Sequence, residues 1–207
     1  MSIDVQALIN GLTTDDVRRL STTAIAAIEA SDIKAMSTTQ VQALTTAQIG
    51  FLSTKALVAF STAQVVAIGT DDIVALTTYQ VPALKDTQVK ALTSAQVRAL
   101  ETDDVKVLTD KQIKAFTTTA IQGLSTDQVS ALSTKAIATL TPAQIGVLST
   151  DDIRALGTAQ IKSVPSVKIC AVVSMGICAD VKPWTPAVLN FDRLTTASMA
   201  PVRIAPT

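Results

Sequence analysis

Histidine is absent from all 207 residues. Its absence removes His-based general acid–base chemistry, Ser–His and Cys–His nucleophile pairs, and most catalytic zinc sites. Aromatic residues make up only 3% of the chain although 48% is hydrophobic, so any interior must be assembled from aliphatic layers. Charge of one sign is also missing: Lys plus Arg and Asp plus Glu both number 17. A net charge of zero offers no long-range field to gather nucleic acid or anionic lipid, and no nucleic-acid partner is expected. Nor is there a long hydrophobic run. The longest mostly apolar stretch, Ile169 to Ala179, is shorter than the ~20 residues that span a bilayer, so no transmembrane segment is expected. The first residues, MSIDVQALINGL, lack a basic region ahead of an apolar one, and no cleavable signal peptide is read there. The compartment stays open between the cytoplasm and export by a signal-less route.

What the chain does contain is a period. From Leu12 to Val164 every eighth residue is large and apolar (Leu12, Leu20, Ile28, Met36, Leu44 and onward) through nineteen units without an insertion. With that residue as position 0, position 5 is Val, Ile or Leu in all nineteen units. Position 1 is Ser or Thr in fourteen, position 2 is Thr in fourteen and position 7 is Ala in twelve. Position 4 is Gln in ten units, Asp in five and Ala in four. Leu92 to Ala99, LTSAQVRA, is a consensus unit.

One continuous helix cannot carry this pattern. Eight residues at about 100° each overshoot two turns by about 80°, so the apolar stripe would rotate into water. A short helix restarted in every unit fits far better. Ser or Thr at position 1 is its N-cap, and Gln or Asp at position 4 falls at N3, which makes a capping box. Positions 0 and 5 become N′ and N4, the pair that forms a hydrophobic staple. Pro142 falls at N1, where proline is favoured. Basic residues occupy position 6 in eight units and acids in none, as the helix dipole prefers. The expected helices are about six or seven residues long, with Pro82, at position 6, distorting its own unit. Burying two aliphatic side chains yields ~3–6 kcal/mol per unit. Ordering eight backbones costs at least ~8 kcal/mol. Neighbours must supply the difference, and the fold class is therefore an all-α solenoid of stacked short helices. The alternative is a β-solenoid, which the Thr, Val and Ile content would allow but which leaves position 0 hard to bury.

The array spans 12–164. Residues 1–11 read as an N-terminal cap, because four residues rather than eight separate Leu8 from Leu12. Residues 165–207 hold degenerate units, the only tryptophan (Trp184) and a Pro-rich tail, and read as a C-terminal cap over the last layer.

Candidate sites are few. The pairs Asp15–Asp16, Asp71–Asp72, Asp103–Asp104 and Asp151–Asp152 occupy positions 3 and 4. They could ligate calcium or form an acid–base carboxylate pair. The more ordinary reading is dipole compensation and N3 capping, and no Gly-bearing calcium loop accompanies them. Lys90, Arg98, Lys106 and Lys114 recur at position 6 of consecutive units and could form an interaction ridge; the ordinary reading places them as solvated helix ends. Cys170 and Cys178 lie one unit apart, and two reduced thiols are the commoner arrangement than a disulfide. No catalytic residue, cofactor or metal site is assigned. The Thr arrays also raise ice binding, but the position 1 hydroxyl is already committed to capping.

Two resemblances follow. Ser61 to Ile68 (STAQVVAI) and Leu140 to Ile145 (LTPAQI) resemble the first helix of TAL effector repeats. Those repeats are longer, with a second helix and a base-reading loop that nothing here matches, so DNA binding does not carry over. The octad array as a whole resembles LTTAQ-type octapeptide-repeat segments of bacterial proteins, some described as adhesin-like or surface-associated. That resemblance covers residues 12–164 and implies repeat architecture. The expected function is a non-enzymatic structural or protein-interaction scaffold, binding a protein partner or itself, self-assembling or surface-associated. The alternative is a calcium- or ligand-binding module using the Asp pairs.

Overall fold

The computed structural model describes residues 11–164. The two cap readings, with Cys170, Cys178 and Trp184, lie outside the described residues.

Eighteen α-helices and one 3-10 helix follow one another at octad intervals, with no strand among the described residues. The helical solenoid is thus the fold, and the β alternative is not. The consensus unit shows why each helix starts where it does. Thr93 has extended backbone (φ −74°, ψ 161°), and its Oγ1 accepts from the Gln96 N–H at 3.2 Å. Gln96 Oε1 accepts in return from the Thr93 N–H at 3.0 Å. Both halves of the expected box are present. Units lacking the hydroxyl still start helices, because the returning half suffices: Lys85 N–H donates to Gln88 Oε1 at 2.9 Å and Gly157 N–H to Gln160 Oε1 at 2.7 Å.

Termination is just as regular. The position 0 residue adopts extended backbone (Leu100, φ −60°, ψ 140°), and its N–H donates to the carbonyl of the preceding position 5, as Leu100 does to Val97. Because position 0 ends one helix and leads the next, the helices are four to six residues long, shorter than the six or seven expected.

Positions 0 and 5 point inward together. Val97, Leu100, Val105 and Ile113, with their equivalents in other units, form one largely aliphatic buried core along the array, against which Leu12, Leu20, Leu148, Ile153 and Ile161 pack partly buried toward its ends. Each helix packs on the one three units later: Ser94–Ala99 lies on Thr118–Gly123, and Asp110–Ala115 on Thr134–Thr139, both 24 residues on. One turn therefore takes three octads, and the helices build three columns. The first column holds Thr14–Arg19, Thr38–Gln42, Thr62–Ala67, Asp86–Ala91, Asp110–Ala115, Thr134–Thr139 and Thr158–Ser163. The second holds Thr22–Ala26, Thr46–Phe51, Thr70–Val74, Ser94–Ala99, Thr118–Gly123 and Pro142–Ile145. The third holds the remaining units, from Ala30–Ala35 to Thr150–Ala155.

Pro82 distorts its unit as expected. Without an amide hydrogen to donate, it leaves a 3-10 helix over Val81–Ala83 in place of an α-helix. Gly123 marks the tightest approach between columns: a Cβ there would collide with the Ser94 carbonyl oxygen and lie 2.7 Å from Ser94 Cα. Gly123→Ala is the consensus change and improves helix propensity, yet it forces backbone against backbone. It is expected to lower stability by about 1–3 kcal/mol in urea unfolding. A stabilised variant would show that the two columns are free to separate.

Candidate functional site

A short helix leaves its first N–H and last C=O groups without partners. In this solenoid one side chain serves both ends. Gln112 at position 4 uses Oε1 to accept from the Thr109 N–H at 2.9 Å, closing its own helix start. Its Nε2 donates to the carbonyls of Val81 and Leu84, both at 2.9 Å, where a unit of the preceding turn ends. The same pair of bonds reaches 31 and 28 residues back from Gln48, Gln64, Gln80, Gln88, Gln96, Gln128 and Gln144. These amides are buried, between 1% and 4% exposed, so each rung is fully desolvated and satisfied. The ladder was not foreseen from the sequence. The signal that could have revealed it is the preference for Gln over a carboxylate at position 4, ten units against five. A carboxylate would close the cap but could not donate backward.

The Asp residues at position 4 occupy the same slots. Asp16 accepts from Thr13 N–H at 3.0 Å and Thr13 Oγ1–H at 2.6 Å, and these bonds hold its carboxyl below the usual range. Asp152 accepts from Ser149 N–H at 2.9 Å, Ser149 Oγ at 2.7 Å and, across the turn, Thr126 Oγ1 at 3.1 Å. Asp72 likewise accepts from Thr46 Oγ1 at 3.0 Å, 26 residues back, while burial pushes its pKa up. Asp104 is the exception. It is 2% exposed, and its Oδ2 has no hydrogen-bond partner. The residue 26 positions back is Thr78, in the unit that Pro82 distorts. Burial raises the Asp104 pKa to about 6, with Glu101 and Asp103 adding repulsion.

Their partners at position 3 point outward instead. Asp15, Asp103 and Asp151 pair with Arg18, Lys106 and Arg154 on their own helices, at 3.0, 2.7 and 3.2 Å. Adjacent carboxylates therefore face different surroundings. Among the described residues no three His, Cys, Asp or Glu side chains come together as a metal-ligand group.

The four basic residues proposed as a ridge separate among the columns. Lys90 and Lys114 lie on stacked helices of the first column, Arg98 on the second and Lys106 on the third. Recurrence at eight residues moves a side chain one column around the rod, and recurrence at 24 keeps it on one side. Arg98, with Gln122, Asp127 and Asp152, lines a polar cleft of about 430 Å³. Among the described residues, no helix is long and apolar enough to cross a membrane.

No curated protein and no solved structure matches this chain. A family model does, in eight overlapping stretches (9–46, 25–62, 47–78, 55–86, 65–102, 81–118, 97–134 and 111–142) that tile most of the array. Its description, ALTTAQ repeat, spells the segment from the end of one octad through the capping box of the next, as in Ala43 to Gln48 (ALTTAQ). With octads, capping boxes and tiling in agreement, the chain belongs to the ALTTAQ repeat family.

Proposed function

We propose that this protein is a non-enzymatic repeat scaffold that works through its outer surface, holding partner proteins or further copies of itself. The observation that carries this reading is a division of labour within the octad. Positions 0, 4 and 5 are committed to the core and the ladder, whereas exposed positions 3 and 6 vary freely from unit to unit. A fixed frame with a variable exterior suits recognition along an extended surface. Three of the position 3 carboxylates are held in ion pairs and those at position 4 in caps, apart from the single Asp104 oxygen. Cross-linking the full chain to its bound proteins tests the reading, with position 3 and 6 residues of one column replaced by serine. Cross-links lost from that column alone are expected. Hydrolytic activity abolished by a single substitution would replace the scaffold with an enzyme, and a calcium-induced rise in melting temperature would favour the Asp pairs as ligands.

A further inference from the structure

Winding three octads to the turn sorts the charges in a way that the net charge of zero conceals. Within residues 85–162, the first column carries Lys85, Lys90, Lys111, Lys114, Lys135 and Lys162 against Asp86 and Asp110, a net of +4. All six lysines are exposed, and Asp110 is already paired with Lys135 at 2.6 Å. Over the same length the third column exposes Glu101, Asp103, Asp127 and Asp151 against Lys106 and Arg154, a net of −2, with Asp104 and Asp152 buried. The second column has Arg98 alone. One side of the rod's C-terminal half is therefore basic and another acidic.

We propose that these two sides are complementary halves of one interface, through which copies of this chain associate side by side, the basic column of one lying along the acidic column of the next. The inference rests on the scaffold reading and supplies its partner. Two arguments select a second copy over other acidic partners. The exposed charges of the two columns are opposite in sign, and both columns repeat at the same 24-residue turn, so lysines spaced along one rod meet carboxylates spaced alike along the other. Charge complementarity of this kind fixes partner and register more than it adds raw affinity. Because the basic and acidic sides are different surfaces, the contact is heterologous and each copy can bind two neighbours.

Sedimentation velocity of the full chain at about 20 mM and about 500 mM salt reads the inference directly, since screening shortens the reach of exposed charges from tens of ångströms to a few. Association at low salt, weakened at least about tenfold at high salt, is expected. The variant Lys111→Glu/Lys114→Glu/Lys135→Glu should remain monomeric, as should Asp103→Lys/Asp127→Lys, both with unchanged helical circular dichroism. Mixing the two should restore association, because each then supplies the charge that the other lost. A wild-type monomer at every salt concentration, or association indifferent to both charge reversals, overturns the proposal. So does binding of single-stranded DNA or anionic vesicles, lost in the lysine variant, without self-association. A monomer that still cross-links to other proteins through its exterior removes this interface and leaves the scaffold reading in place.

Discussion

Gln112→Glu is expected to cost about 3–5 kcal/mol in urea unfolding at pH 7, although it exchanges one amide nitrogen for oxygen. The substitution keeps the acceptor that closes the Thr109 cap. It removes the two donors to Val81 and Leu84 and sets a carboxylate oxygen against both carbonyls at a site 1% exposed. An unpaired charge held there must either stay desolvated or capture a proton. The loss should therefore grow as pH rises, a signature that lost packing alone would not give. Gln112→Met, similar in size and uncharged, should cost less, about 1–3 kcal/mol, and show no such slope. Equal stability of Gln112→Glu and wild type at pH 7 would sink the ladder as a structural element.

The opposite experiment is available at Asp104, where the ladder position lacks its donor. Its raised pKa means that the folded state binds this proton more tightly than the unfolded state. A raised folded-state value contributes stability that is complete below the unfolded value of 3.8 and is lost as pH rises through about 6. The interval between the two corresponds to about 3 kcal/mol. Asp104→Gln should abolish this dependence and add donors toward the carbonyls of Ile73 and Leu76, which stand 31 and 28 residues back, as the acceptors of Gln112 do. A melting temperature at pH 7 above that of wild type, with the two converging near pH 4, is the expected result. A variant no more stable than wild type at pH 7 would mean that Asp104 is solvated and costs nothing.

Which parts of this molecule could be read beforehand follows from the range of each interaction. Caps, staples and the Pro82 distortion involve residues within five positions of one another, and the octad displays them directly. Burial of positions 0 and 5 followed from the same local register. The ladder and the columns depend on contacts 24 to 31 residues apart, and an eight-residue period is equally compatible with any number of units per turn. Hence the Lys90–Lys114 series looked like a ridge along the chain, whereas two of its four members belong to other sides. Once the turn is known to take three octads, the charge pattern becomes visible in the sequence as a period of 24. The second half of each glutamine's work had one trace in advance, the preference for Gln at position 4 in ten of the nineteen units.

The ladder also gives the rod a direction. Every described Nε2 bond reaches toward residues nearer the N-terminus, 28 to 31 positions back. On a ribosome, which delivers the N-terminal end first, each glutamine emerges when both of its acceptors have already been made. Winding can thus keep pace with synthesis, one octad at a time, and no rung waits for chain still to come.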